Sequence, residues 1–401
     1  MMDFPTLYSF VERLPIVDWH NHLDMRMLSE DRPLGSLYEA WVAADPYKHR
    51  AMRICGEPER LITGDAPECE KWAAWTRTLP KLVGNPVFAW AKMEIEWLGL
   101  RDGGPETWDG SGAWCRGIEN VSLSGWTPSK ILERFGVEYM SPCVGADCEN
   151  LETWKCGNAE TADGSGARIS PSLRMNAGDD VSAETLERFH AAGCRIVDVS
   201  ADDVSMLDGK SSRLAAVAAF AAAHGWTMLL HLGALRDTSA RLRAAAGPAG
   251  GFAGMRAPVD PAAVAAFLNA LESQDALPRT ILMSLNPEAH AQLAVLSGSF
   301  AGEGMPGKVQ LGPAWWWCDH EEGMRDVLEK NAAYGVLWTF AGMTTDSRSL
   351  FSFVRHAYFR RVLCRWVAEK VASGAFPDDE SLLVPMLENV CCRNAMAMVR
   401  A

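Results

Sequence analysis

The stretch IVDWHNH at residues 16–22 is a short apolar run that ends in two histidines separated by a single residue. In an extended strand, side chains two positions apart point to the same side, so His20 and His22 can converge on one metal ion. A histidine pair of this kind also arises by chance. Its meaning therefore depends on where the strand lies in the fold, which the rest of the chain has to indicate.

Working outward from this stretch, the chain contains eight apolar runs, each followed by a turn and a helical pattern. They cover residues 16–19, 137–143, 167–173, 195–199, 227–232, 280–285, 308–311 and 336–341. Near-continuous apolar runs separated by helical stretches are typical of buried parallel strands joined by crossover helices. The pattern predicts an α/β fold, a distorted (β/α)8 TIM barrel, whose active site lies at the carboxyl ends of the strands.

A long helical region separates the first run from the second. Helical periodicity covers residues 34–42, 67–79 and 86–98, and no β-rich segment interrupts them. We predict a barrel catalytic domain formed by residues 1–24 and 127–401, with a mainly helical insertion, residues 25–126, over the barrel mouth. The Gly/Ala-rich residues 244–254 predict either a flexible loop on the same face or a plain linker.

Two further residues fall where a barrel metal site would need them. His231 ends the fifth run and Asp346 follows the eighth. Together with His20 and His22 they would project from the same mouth and form a mononuclear metal site. No lysine ends the fourth run, which argues against a lysine-bridged site for two metals.

Arginines follow several of the predicted strands. Arg174 follows the third run, Arg236 the fifth, and Arg348 and Arg355 the eighth. The planar guanidinium fork matches a carboxylate, so arginines that converge indicate a small-molecule substrate bearing a carboxylate. Surface salt bridges are the alternative interpretation for each arginine taken singly.

The overall charge excludes several classes of partner. The 51 acidic and 38 basic residues give a formal net charge of −13, which repels nucleic-acid backbones and anionic membrane surfaces. No signal-peptide pattern opens the chain, and no apolar run approaches the roughly 20 residues of a membrane span, so we expect a cytoplasmic protein. The 11 scattered cysteines form neither a disulfide framework nor a zinc ribbon.

Several segments carry a family resemblance, the longest being GMTTDSRSLFSFVRHAYFRR at residues 342–361; the others cover residues 18–23, 47–65, 231–236, 278–287, 302–312 and 315–323. In these segments the chain resembles the uronate (glucuronate) isomerases of the amidohydrolase superfamily. The resemblance implies a distorted (β/α)8 barrel with a helical insertion and one divalent metal ion, often zinc. It also implies aldose–ketose isomerisation of D-glucuronate to D-fructuronate or of D-galacturonate to D-tagaturonate.

The resemblance places functional roles on particular residues of this sequence. It implies that the metal is bound by His20, His22 and Asp346. It implies that the catalytic residues are Asp346, Tyr47, His231 and Arg348. The resemblance and the arginine cluster together predict that the substrate is bound by Arg236, Arg174, Trp316 and Arg355. Moving a proton from C2 to C1 needs a base beside the sugar carbon and an electrophile on the carbonyl. Asp346 and Tyr47 both remain open as the group that moves the proton, since a metal-bound aspartate is a poor base and a phenol needs a lowered pKa.

Four positions on the predicted catalytic face depart from the family pattern, namely Cys143, Val199, Asp237 and Ala357. They leave the preferred sugar acid open. A hydrolase, decarboxylase or isomerase of the same superfamily could use the same metal site on another sugar acid or carboxylate. A non-catalytic protein that binds a sugar acid is a third hypothesis, and the sequence allows a homo-oligomer in each case.

Overall fold

The computed structural model describes residues 2–99, 123, 125–148, 151, 166–207, 213–236, 238–248 and 250–400. Asp237 lies outside the described residues. Most of residues 100–126, the second part of the predicted helical insertion, lies outside them as well.

A curled sheet of parallel strands forms the centre of the fold. The strands are β1 (Ile16–Asn21), β2 (Val137–Gly145), β3 (Arg168–Ile169), β4 (Ser172–Asn176), β5 (Ile196–Ala201), β6 (Thr227–Leu232), β7 (Ala234–Leu235), β8 (Gly254–Met255), β9 (Arg279–Ser284) and β10 (Val309–Leu311). Hydrogen-bonded neighbours follow the order β1-β2-β4-β5-β6-β9-β10; β3 pairs with β2, and β7 and β8 form a separate antiparallel hairpin. Every residue of β1, β5 and β6 is buried, which explains why apolar residues make up half of β1 and most of β5 and β6.

The parallel α/β architecture is confirmed, but the eighth predicted strand is wrong. Residues 336–341 contain a 3-10 turn, Leu337–Thr339. Val336 is 63% exposed and Trp338 is 48% exposed, so this run lacks the burial that the other apolar runs have. Short apolar runs do not by themselves distinguish a strand from a helical turn. The third run divides into β3 and β4 at Pro171, which has no N–H to give to a strand ladder.

Residues 344–347 lie beside the end of β1. The backbone N–H of His20 donates to Thr344 Oγ1 at 2.8 Å, and the N–H of Asp346 donates to the carbonyl oxygen of His20 at 3.1 Å. The N–H of His22 donates to the Ser347 carbonyl at 2.8 Å. These bonds hold Asp346 against the two histidines although residues 336–341 form no strand.

Helices precede, connect and follow the strands. The α-helices are Phe4–Val11, Met25–Glu30, Leu37–Trp41, Pro46–Ile54, Glu68–Thr78, Pro86–Trp97, Pro128–Phe135, Ala183–Ala191, Arg213–Ala223, Ala240–Ala246, Pro261–Glu272, His290–Ser299, Glu321–Tyr334, Val354–Ala372, Glu380–Glu388 and Asn394–Val399. Short 3-10 helices are Glu59–Leu61, Leu79–Leu82, Val204–Met206, Pro287–Ala289, Trp316–Cys318, Leu337–Thr339 and Leu350–Phe353, and a π-helical turn spans Asn389–Arg393.

The C-terminal helical run Glu380–Val399 has the length and the mean hydropathy, 1.2, of a membrane span, and half of it is buried inside the fold. Leu383 and Leu387 are in the hydrophobic core. A core helix of a globular fold passes the same test of length and apolarity.

Helix Pro46–Ile54 packs against the loop that precedes β8. Arg53 donates to the Gly250 carbonyl, and Gly251 has a φ of +80° with its Cα so close to the helix that a Cβ would lie 2.2 Å from the Pro46 oxygen. Residues 244–246 belong to helix Ala240–Ala246. The segment predicted as a flexible loop or linker is therefore partly helical and partly packed against a helix.

Candidate active site

A cavity of about 310 Å³ opens at the carboxyl ends of the strands. Nine of the ten predicted site residues line it, namely His20, His22, Tyr47, Arg174, His231, Arg236, Trp316, Asp346 and Arg348; Pro46, Pro248 and Trp315 complete the lining. Arg355 is the exception. It is 1% exposed and lies behind Tyr47, away from the cavity.

The two histidines of β1 converge on one carboxylate oxygen. His20 Nε2 lies 3.0 Å and His22 Nε2 lies 3.1 Å from Asp346 Oδ1. Although burial raises the pKa of Asp346, the contacts with His20 and His22 hold it well below its usual range. Two imidazole nitrogens and a carboxylate oxygen are the donors that divalent zinc prefers, so the residues present fit a metal ion.

Asp18 anchors the segment that carries Asp346. It is fully buried on β1 and its Oδ1 accepts hydrogen bonds from the backbone N–H of Thr345 (2.6 Å) and from His356 Nε2 (3.1 Å). Asp346 itself has a φ of +47°, a conformation that needs support from its surroundings. Asp18 is not among the predicted site residues, although its position two residues before His20, on the same side of the strand, is a signal from which its role could have been predicted.

A buried network lies behind His20. Cys143 Sγ is 3.2 Å from His20 Nδ1 and 3.2 Å from Asp198 Oδ2. Asp198 Oδ1 lies 2.8 Å from His231 Nδ1. Burial lowers the pKa of His231 to about 4, so its imidazole is neutral at pH 7. From the sequence, Cys143 is only a departure from the family pattern, and Asp198 has no predicted role.

Two arginines meet at one serine hydroxyl. Arg174 Nη2 donates to Ser200 Oγ at 2.5 Å, and Arg236 Nη2 donates to the same oxygen at 2.7 Å. Asp198 accepts from Arg174 at 2.6 Å, and Asp202 accepts from Arg236 at 2.8 Å. The guanidinium groups therefore converge with their planes fixed, which suits an anionic group of a ligand.

Arg348 and Trp316 also line the cavity. Arg348 is exposed at the rim and has no ion-pair partner in the part of the chain that the structure describes. The Arg236 guanidinium lies 5.7 Å above the Trp316 ring, a cation–π contact that helps to orient it.

Tyr47 enters the cavity from the first turn of helix Pro46–Ile54. Asp45 caps this helix by accepting from the backbone N–H of Tyr47 at 2.9 Å and of Lys48 at 3.2 Å. The Tyr47 hydroxyl is buried and has no hydrogen-bond partner among the described residues. Burial raises its pKa well above its ordinary value, so the phenol is protonated at neutral pH.

Comparison with known proteins places this chain in a family. The family model for glucuronate isomerase matches residues 3–178 and 165–399, nearly the whole chain. The chain belongs to the glucuronate isomerase family. The uronate isomerase of Caldicellulosiruptor bescii is 31% identical over 96% of this chain and 94% of its own length, and that of Serratia proteamaculans is 33% identical over 97% and 94%.

Solved structures of the family share the fold. The uronate isomerase of Thermotoga maritima superposes with a TM-score of 0.83 at 25% identity, covering 99% of this chain and 97% of that one. The glucuronate isomerase of Caulobacter crescentus gives a TM-score of 0.78 at 20% identity, covering 99% and 95%.

Proposed function

We propose that the protein isomerises uronates between aldose and ketose forms, converting D-glucuronate to D-fructuronate, D-galacturonate to D-tagaturonate, or both. The observation that carries this proposal is the convergence of His20, His22 and Asp346 in a cavity that two fixed guanidinium groups also line. Family membership supports the same reaction, because the similar proteins bear the name uronate isomerase.

A divalent metal, zinc in our proposal, would be held by His20, His22 and Asp346 and would supply a Lewis acid for the sugar carbonyl and hydroxyl. The chain's own residues bind and orient the sugar acid. Arg174 and Arg236 present guanidinium groups to its carboxylate, and Arg348 at the rim adds a third cation.

The proton transfer needs one group that accepts the proton from C2 of the sugar and another that donates a hydrogen bond to a sugar oxygen. The Tyr47 phenol keeps its proton at neutral pH, so we assign it the role of hydrogen-bond donor to the sugar oxygen. We assign the C2 proton to Asp346, which lines the cavity and meets both histidines through Oδ1, so that its second oxygen, Oδ2, which accepts from Trp315 Nε1 at 3.1 Å, is the one that would take the proton. His231, neutral and 1% exposed, offers an Nε2 without a partner among the described residues for a substrate hydroxyl.

The proposal extends to the architecture and to the superfamily. We infer that residues 344–347, bonded to β1, take the place of the eighth strand of a distorted (β/α)8 barrel in the amidohydrolase superfamily. Residues 1–24 and 127–401 would form the barrel domain, and residues 25–126 would form the insertion that brings Tyr47 to its mouth. The contacts of helix Pro46–Ile54 with the loop before β8 support this arrangement.

The test is a ketose assay of purified, metal-analysed protein with D-glucuronate and with D-galacturonate. Ketose formation that stops after treatment with a chelator and returns with added zinc is the expected result. Protein that is folded and metal-loaded but forms no ketose from either sugar contradicts the proposal. In that case the same metal site would have to act on another carboxylate substrate.

A further inference from the structure

Arg355 and Asp319 form a buried pair behind the cavity wall. Arg355 is 1% exposed and Asp319 is 4% exposed, and Arg355 Nη1 donates to Asp319 Oδ2 at 3.2 Å. The surroundings are dry: burial raises the pKa of Asp319 to about 7, even though Arg355 favours the charged form. A buried guanidinium is costly unless several partners satisfy it, so its other contacts show what it holds in place.

The guanidinium touches two parts of the catalytic wall. Its Nη1 also donates to the carbonyl oxygen of Thr345 at 3.0 Å, one residue before Asp346. Its central carbon lies 4.7 Å from the ring centroid of Tyr47 and 3.9 Å from that of Trp90. One side chain on helix Val354–Ala372 therefore contacts both the residue that presents Asp346 and the ring of Tyr47.

Asp346 and Tyr47 both need contacts from surrounding residues to keep their positions. Asp346 has a φ of +47°, which an L-amino acid seldom adopts without constraint from its surroundings. Tyr47 has a buried hydroxyl without a partner among the described residues, so its own polar group does not orient the ring. The ring is held by packing, with Trp90 on one edge at 5.4 Å, Trp317 on another at 5.4 Å, and the Arg355 guanidinium over its face.

We propose that Arg355, braced by Asp319, is a positioning residue for isomerisation: it fixes the ring of Tyr47 and the backbone that presents Asp346 and does not touch the substrate. This role rests on the proposed function above. It replaces the expectation that Arg355 binds substrate, because the side chain is sealed from the cavity by Tyr47. The planar guanidinium is essential to the role, since its Nη1 donates to both Asp319 and Thr345 while its flat face lies 3.9 Å from the Trp90 ring centroid and 4.7 Å from that of Tyr47. A lysine ammonium keeps the charge and the donors but has no planar face to pack against the two rings.

The test is Arg355→Lys, which keeps the charge and removes the fork. We expect kcat for the sugar acid to fall about 100-fold, since small displacements of reacting groups cost this much, with KM within about threefold of the parent value. The matched control is Arg360→Lys on the same helix, a residue 3% exposed that donates to the Pro15 carbonyl at 2.8 Å, away from the cavity. Its kcat should stay within about twofold of the parent value.

Two kinetic results with Arg355→Lys would overturn the proposal. A KM raised about tenfold or more at unchanged kcat would show that Arg355 binds substrate, and equal losses of kcat in both variants would show a general loss of stability. If Arg355→Lys does not fold, Asp319→Asn takes its place, with about a tenfold loss of kcat at unchanged KM expected and an unchanged kcat overturning the role.

A readout without substrate separates this proposal from the proposed function. Near-UV circular dichroism reports the packing of all the aromatic side chains, Tyr47 and Trp90 among them, so the comparison with Arg360→Lys is needed to isolate their part. We expect the spectrum to change in Arg355→Lys and to stay the same in Arg360→Lys. Wild-type protein that turns over no uronate would end the proposed function while leaving this spectral comparison valid. Identical spectra for wild type and folded Arg355→Lys would overturn the positioning role.

Discussion

Gly251 offers a sharp test of how the helix that carries Tyr47 is held. A Cβ at this position would lie 2.2 Å from the Pro46 carbonyl oxygen and 3.1 Å from the Pro46 carbonyl carbon. The blocking atoms are backbone, so the loop or the helix must move by more than about 1 Å to restore ordinary contact. The residue next to Pro46 is Tyr47, so the movement would be transmitted directly to the cavity wall.

The matched control is Gly56 at the other end of the same helix. Gly251 has a φ of +80° and Gly56 a φ of +87°, but nothing lies within 4 Å of a Cβ at Gly56. Gly251→Ala and Gly56→Ala therefore share the cost of a positive φ, about 1–2 kcal/mol, while only Gly251→Ala adds a forced contact, which typically costs about 1–3 kcal/mol.

We expect urea unfolding to show Gly251→Ala less stable than Gly56→Ala by about 1–3 kcal/mol with an unchanged m value. Displacement of Tyr47 by about 1 Å should lower kcat by up to about 100-fold in Gly251→Ala, whereas Gly56→Ala should retain normal turnover. Equal stabilities of the two variants, or normal kcat in Gly251→Ala, would refute the reasoning that this loop sets the position of the helix.

Three further predictions concern Asp346, Arg236 and His49. Asp346→Asn should lose at least about 100-fold in kcat and most of its bound metal while its circular dichroism stays native, because the carboxylate oxygen meets both histidines; near-normal activity would remove its assigned role. Arg236→Ala should raise KM for the uronate about 10- to 100-fold with little change in kcat, since a charged hydrogen bond to a ligand contributes about 1.5–3 kcal/mol; an unchanged KM would contradict a carboxylate contact. Burial lowers the pKa of His49 from 6.5 to about 4, so the unfolded chain takes up a proton first as pH falls, and stability should drop by about 3 kcal/mol between pH 7 and pH 4. His49→Phe should remove that part of the pH dependence, as measured by urea unfolding at each pH; an identical dependence in the variant would assign the loss to other groups.

Much of the sheet could be predicted because burial leaves a direct mark on the sequence. The strands β1, β5 and β6 are buried along their whole length, and the apolar runs within them predict them from the sequence. The run at residues 336–341 is equally apolar but contains a 3-10 turn. An apolar run does not by itself show whether the backbone bonds to a neighbouring strand or within a helical turn.

The convergence of His20 with His22 could be predicted from the alternation of a strand, and the meeting with Asp346 from the position of that residue after the last run. The network behind them could not. Asp18, Cys143 and Asp198 are polar residues inside strands, and only the register between strands shows that Cys143 reaches both His20 and Asp198. Arg355 follows the last apolar run, just as Arg174 and Arg236 follow earlier runs, so the sequence does not distinguish it from them. Only the packed structure shows that Tyr47 separates Arg355 from the cavity.

The central claim is proton transfer between C2 and C1 of a uronate at this site, and NMR in deuterated water tests it most directly. Metal-loaded protein would be incubated with D-glucuronate and, separately, with D-galacturonate. The account predicts ketose signals from at least one sugar, with deuterium entering C1 of the ketose and C2 of the recovered aldose. Both sugars remaining unchanged and fully protonated at C2, with folded and metal-loaded protein, would contradict it.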